Sequence, residues 1–562
     1  MSVFIGYPSF MAYQMMKGKK GNNDDDFPSI PGMIARYSAS GLTNEQMAAN
    51  PVWVDKTGNG HDLQMKNFAW GGMSGVGGYN QNFNQYFVGV DESNKTVSDS
   101  SMKLVLLESD SQKVIYDRNS YQIGHTYNFY IKVTGIEGRI LNVNAGTLGG
   151  RIMSITEDGI YSINVTVSDS WGQNRLYLIF PPSSSSNTVT IEQLPLYPGA
   201  LVFDGVDDYG VCENFPILTT KEKGYTVVAL RKWLTPETKT INEVLLGNFK
   251  NNPIWTSANL GAFQFEVKYN VSKKVQTDSF GIGNNITLNN NHLFSYQISN
   301  SYNGSILRFG SNVGGNFFTV GCGGDQFYSN AAIWELVFLD HDATEEELTK
   351  IKDYFVKTYP WLFPDQAWTV TGKTNEDEDR ATIANITGNG NNLVLSNFGF
   401  AEGSGYNEEG EYAGYLVTDG VDDKVRSSSF LFGNDFTVVG EWEFLQEDSN
   451  VFAGFNKNYT YFVLYNYISG VNVYVKNGKG TSIRNTKTLK AVTSEGLIYT
   501  DFNSEQKVEL ADKVEADFPL HIAYNGNNYT KMAFKNLAIY PTILSKDDCI
   551  KAYNYLQTLK AK

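Results

Sequence analysis

Three cysteines in 562 residues, with no Cys-x-x-Cys spacing, argue against a disulfide-stapled scaffold and predict buried free thiols at Cys212, Cys322 and Cys549. Five histidines, in no His-x-His or His-Glu-x-x-His arrangement, give no zinc site. Lysine and arginine number 45 against 60 aspartates and glutamates, a formal net charge of −15. Affinity for nucleic acid comes chiefly from cations neutralising phosphates, so neither nucleic acid nor an anionic membrane surface is an expected partner. No apolar run approaches the ~20 residues that span a bilayer. No P-loop, Gly-x-Ser-x-Gly or EF-hand spacing is present, and no heptads enforce a coiled coil.

What is present is repetition. Thr57-Gly58-Asn59-Gly60-His61-Asp62-Leu63 with Asn67-Phe68 returns as Thr387-Gly388-Asn389-Gly390-Asn391-Asn392-Leu393 with Asn397-Phe398. Leu201-Val202-Phe203-Asp204-Gly205-Val206-Asp207-Asp208 returns as Leu416-Val417-Thr418-Asp419-Gly420-Val421-Asp422-Asp423. Leu336-Val337-Phe338 before Thr344 returns as Leu537-Ala538-Ile539 before Ser545. Three blocks in one order mean a duplicated domain. Their offsets are 330, 215 and 201 residues, so the first copy holds 115 residues that the second lacks, enough for a small domain.

Aromatic residues make up 14% of the chain and glycine contributes 53, against only 19% charged residues. Short runs such as Tyr225 to Leu230 and Tyr127 to Val133, separated by Asn-Gly and Asp-Gly turns, predict β-sandwiches. The expected fold class is all-β. An arm and linker occupy 1–31, a first sandwich 32–84 and 199–363, a smaller inserted sandwich 85–198, and a second sandwich 364–562. Each copy closes on a short helix behind a capping box, Thr344 with Glu347 and Ser545 with Asp548.

Two constellations carry possible chemistry. Asp204, Asp207 and Asp208, echoed by Asp419, Asp422 and Asp423, offer hard oxygen ligands, and Ca²⁺ is the one cofactor they suggest. Asp204-Gly205 is itself a turn dipeptide, and the preferred reading of both clusters is structural. The N-terminal segment is rich in methionine and aromatics (Phe4, Tyr7, Phe10, Met11, Tyr13, Met15) and precedes a polar tether at Asn22 to Asp26. Its basic residues follow the apolar ones, the reverse of a secretory signal, and it reads either as a docking peptide or as a frayed terminus. For sugar stacking the available rings are Trp53, Trp70, Trp233, Trp255 and Trp442, most of them expected in the core. The loop Asn248 to Trp255 and the glycine-rich Gly71 to Tyr79 are the better candidates. The acidic run Asn375 to Arg380 reads as a solvated loop.

In these blocks the sequence resembles the concanavalin A-like, laminin-G-like jelly rolls, over about 400 residues. The resemblance implies two such sandwiches, and the insertion is more loosely similar to a carbohydrate-binding module. Glycosidases of that superfamily usually show a Glu-x-Asp-x-x-Glu strand, and none occurs here, so a non-enzymatic role is expected. The whole arrangement is similar to structural proteins of phages of gut Bacteroidota (crAss-like phages). That similarity implies a virion location as a fibre, capsid decoration or tail-associated adhesin, with other virion proteins and glycans as partners and a homo-oligomer, trimers being usual for fibres. The alternatives are a bacterial surface glycan-binding protein and, less favoured, a glycoside hydrolase.

Overall fold

The structure is a computed structural model. It describes residues 26–561 except 81, 119–120, 122, 124–125, 168–174, 217–223, 235–242, 250–263, 269–274, 278–285, 289–292, 299–313, 324–326, 409–411, 446–449, 455–461, 468–469, 476–479, 485–489, 501, 503–504, 508–515 and 526–527. Phe4, Tyr7, Phe10, Met11, Tyr13, Met15 and Trp255 therefore lie outside the described residues.

Two bodies are formed, Pro28–Phe355 and Val356–Lys562, the latter with Asp26, which pairs with Lys357 at 3.0 Å. Both are built almost wholly of antiparallel strands. In the first, one sheet orders Phe294–Ile298, Thr226–Trp233, Asn330–Leu339, Leu201–Asp204 and Gly75–Val76, with Met33–Ser38 also on Asn330–Leu339. The facing sheet begins Val52–Trp53, Leu63–Lys66, Tyr209–Cys212, Gly314–Val320, Glu243–Phe249 and Gln264–Lys268.

The second body repeats that order. Thr437–Phe444, Met532–Tyr540, Tyr415–Val417 and Gly405–Asn407 are neighbours, with Gln366–Thr369 also on Met532–Tyr540. Opposite run Thr382–Ile383, Leu393–Ser396, Lys424–Phe432, Ala516–Ile522, Asn450–Gly454 and Phe462–Tyr467. The fold is all-β, and the first sandwich is interrupted by a smaller one. The interruption pairs Arg151–Ile155, Leu141–Ala145, Leu176–Phe180, Lys113–Asp117 and Tyr86–Val88 against Gly159–Thr166, Thr126–Thr134, Asn187–Gln193, Ser101–Leu106 and Lys95–Val97.

Burial follows the pleat. Leu63 and Met65 are buried while Gln64 and Lys66 are exposed, and Leu393 to Ser396 repeats that alternation. Met532–Tyr540 is buried at every position, because other strands flank it on both sides and its two faces are covered. In the first body the helix Glu345–Thr358 buries Leu348, Ile351 and Phe355, and Phe355 meets Phe294 edge-on at 6.0 Å. Each sandwich has its own apolar core. The three cysteines are free and buried. The sequence pattern does not predict the helix Asn44–Ala49, whose six residues bury only Met47 and are too few to show a period. Among the described residues no helix is long and apolar enough to cross a membrane.

Candidate functional site

The strand Leu201–Asp204 reverses into Tyr209–Cys212 through Gly205, whose φ of +74° suits glycine. Asp204 Oδ1 accepts from Val206 N at 2.7 Å, a side chain mimicking a backbone turn. Asp208 Oδ2 accepts from Asp204 N at 3.0 Å, and its Oδ1 from Ser74 Oγ at 2.9 Å. Ser74 Oγ in turn accepts from Ala69 N at 2.8 Å, and Asn67 Nδ2 donates to Asp207 O at 3.1 Å. Two loops far apart in sequence are thereby buckled together.

The second sandwich builds the same buckle. Val421 N donates to Asp419 Oδ1 at 2.7 Å, Asp419 N to Asp423 Oδ2 at 2.8 Å, and Ser404 Oγ to Asp423 Oδ1 at 3.1 Å. Gly399 N donates to Ser404 Oγ at 2.8 Å and Asn397 Nδ2 to Asp422 O at 3.0 Å. In both copies a valine, Val206 or Val421, stands exposed at the tip.

Burial raises the Asp208 carboxyl to about 7; its N–H partner at Asp204 opposes the rise, and the Asp204 charge adds to it. The same causes raise Asp423 to about 6. Each triad brings three carboxylates within 4.8 Å of one another. Both oxygens of the buried member already accept hydrogen bonds, so Ca²⁺ would have to share Asp208 or Asp423 with those donors. The arrangement accounts for its acids as turn glue.

Sequence reasoning missed the serine of each buckle and a second pair of clamps. Asn44 Oδ1 accepts from Val76 N at 2.7 Å, and its Nδ2 donates to Val76 O at 3.4 Å. Asn375 makes both bonds to Tyr406 at 2.8 Å. A methyl group at Gly75 or Gly405 would sit 2.5 Å from the clamping Oδ1, so glycine is required there. Extending the 330-residue offset outward from Asn67 and Asn397 would have found Ser74 and Ser404.

Trp53, Trp233 and Trp442 are core residues. Trp70 is half-buried and stacks on Phe68 at 4.7 Å and 16°. The acidic loop is tied to itself, Lys373 to Asp379 at 2.5 Å and Thr374 N to Asp377 at 3.0 Å.

No family profile and no curated protein matches the chain. Among solved structures it is similar to the receptor-binding domain of a botulinum neurotoxin C/D mosaic serotype, at 11% identity over 34% of this chain, with a TM-score of 0.25. It spans 50% of that chain. It is also similar to a Trypanosoma rangeli sialidase in complex with 2,3-difluorosialic acid, at 7% identity over 82% of this chain and 83% of that one, TM-score 0.25. TM-scores this low fall short of a shared fold, and no property of either protein passes to this chain.

Proposed function

We propose that the chain is a non-enzymatic binding and structural component of a phage virion, a fibre, capsid decoration or tail-associated adhesin. Its sandwiches present their loops to host or mucus glycans, and residues 1–31 dock it to other virion proteins, as part of a homo-oligomer.

One observation carries the non-catalytic part. Both oxygens of Asp208 and of Asp423 accept from donors within the buckle, one from their own turn and one from the serine of the facing loop. Glycoside hydrolysis asks for two carboxyls facing one bond from opposite sides, about 5–9.5 Å apart. Here the acids of each copy crowd into one turn and hold it shut. Binding is supported by the rigid loop frame that each sandwich builds, since recognition residues are commonly carried on loops held by a rigid scaffold. The virion setting is supported by the sequence resemblance and by the composition of the N-terminal segment.

In a density gradient of lysate the full chain should band with particles, and removing residues 1–27 should release it. Recovery with outer membranes would instead assign a bacterial surface glycan-binding protein. Glycan hydrolysis abolished by one carboxylate substitution would make the chain a glycoside hydrolase.

A further inference from the structure

Among the differences between the two copies, one leaves a ring face uncovered. Trp70 and Phe400 occupy matching positions and both adopt the left-handed region, φ +51° and +49°. Bulky side chains rarely do so, and such strain persists only where the surroundings impose it. Both rings are half-buried and pack against their own sandwich core, but over Phe400 lies the Arg380 guanidinium at 4.9 Å, and Tyr406 stacks at 6.4 Å. Trp70 rests on Phe68 by one face. Among the described residues no other ring or cation engages it, and its indole N–H is neither bonded nor buried.

That open ring sits where the insertion joins its host. Leu196 N donates to Gly78 O at 2.9 Å and Tyr197 N to Gly77 O at 2.8 Å, tying the two at this seam. Asp99, from the insertion, presses its carboxylate on the Trp70 loop: a methyl group at Gly71 would lie 2.7 Å from Asp99 Oδ2. That oxygen is buried with no hydrogen-bond donor among the described residues. Tyr79, at the end of the same glycine-rich segment, is pushed up to about 12 by burial and then by the charges of Asp99 and Glu45. The seam is thus electronegative.

We propose that Trp70 is the stacking platform of a glycan-binding site at this seam, selective for neutral over acidic sugars, with Asp99 as a positioning residue. The inference rests on the glycan-binding reading above. An aromatic face carries negative charge density and attracts the slightly positive C–H groups of a pyranose ring. The indole N–H supplies a donor for a hydroxyl, and the negative potential from Asp99 and Glu45 disfavours carboxylated or sulfated sugars. Sites of this kind favour the boundary between modules. The second sandwich lacks both the insertion and the open ring.

The test uses the full chain on immobilised β-glucan, xylan, mannan and chitin oligomers beside polygalacturonate and sialyllactose, then calorimetry with the best neutral binder. Trp70→Gly removes the ring at a φ that glycine adopts freely and should weaken binding about tenfold or more, well beyond any effect of the lost packing on Phe68. If that variant melts early, Trp70→Phe keeps the platform, loses the N–H and should weaken binding several-fold. Asp99→Asn should narrow the neutral-over-acidic preference by about threefold, which a purely structural role would not do. Phe400→Ala should leave binding unchanged. Neutral-glycan binding that survives both Trp70 substitutions overturns this site and spares the broader reading. A preference for the acidic glycans overturns the ligand class. Absence of binding to every glycan overturns both.

Discussion

The two sandwiches keep the same turns and fill their interiors differently. On Thr226–Trp233 the strand bulges between Leu230 and Arg231, and on Thr437–Phe444 it bulges at the matching Glu441 and Trp442. Past the bulge the first copy buries Arg231 against Glu266 at 2.6 Å, with Trp233 Nε1 donating to the same carboxylate at 2.8 Å. The second copy places Trp442 and Phe444 there, both fully buried. A well-packed apolar filler and a buried ion pair can thus occupy one site in one fold, as their similar net energies allow. The hydrogen-bonded loops were retained while the core was exchanged, so the frame depends more on the loops than on which side chains fill the middle.

The sharpest way to break that equivalence is to strand one charge. Arg231→Met leaves Glu266 buried and unpaired and should destabilise the first body by about 3–5 kcal/mol in urea unfolding. Adding Glu266→Met should restore most of the loss, since the second copy fills this place with Trp442 and Phe444. If the double variant is as unstable as the single one, the two interiors are not interchangeable.

The amide clamps should instead behave alike. Asn44→Ala strands the N–H and C=O of Val76, and Asn375→Ala those of Tyr406; each should cost about 1–3 kcal/mol. Unequal losses, read by hydrogen exchange at the amides of Val76 and Tyr406, would show that the frame matters more in one copy.

The acidic turns separate the copies by pH. A folded carboxyl whose pKa lies above the unfolded value of about 3.9 binds its proton more tightly in the native state. Its contribution is full below about pH 4 and lost as pH rises through about 7 for Asp208 and about 6 for Asp423. Stability of the first body should therefore fall from pH 5 to pH 8, and Asp208→Asn should flatten the slope. The second body should complete its loss about one pH unit earlier, and NMR titration of the two carboxyls measures that gap directly.

The repeats made most of this legible. Asp-Gly-Val-Asp-Asp is a turn with its own chemistry, and its second occurrence marked both buckles and, through the offset, the insertion between them. Ser74 could be reached by extending that offset, but Asn44 left no such signal. A single polar side chain that clamps a remote backbone has no period, and only its partner in space reveals it. Trp70 shows a second limit. Left-handed backbone is readable where glycine or asparagine permits it, whereas an aromatic held there is imposed by the closing contacts between Gly71 and Ser74, bonded both ways at 2.9 and 3.1 Å. The strands were readable as runs, but the charges within them were not, because nothing local to Arg231 points to Glu266, 35 positions further on.

The closing helices give the smallest and cleanest contrast. In the first copy the box is reciprocal: Glu347 N donates to Thr344 Oγ1 at 3.3 Å, and Thr344 N to Glu347 Oε2 at 2.8 Å. Burial is the largest single influence and opposes the Glu347 charge, but the Thr344 donors and His341 together outweigh it and hold this carboxyl below its usual range. In the second copy Asp548 N donates to Ser545 Oγ at 3.1 Å, but the aspartate is one methylene shorter. Its oxygens take Ser545 Oγ and Lys551 instead, with no return bond to the Ser545 backbone among the described residues. Thr344→Ala should thus cost about 1–2 kcal/mol and Ser545→Ala about 1 kcal/mol or less. Asp548→Glu should add a few tenths of a kcal/mol by closing the box, whereas Glu347→Asp should lose about as much. Thermal melting of the four variants decides it: if Asp548→Glu gains nothing, the shorter side chain is not what leaves the second cap half made.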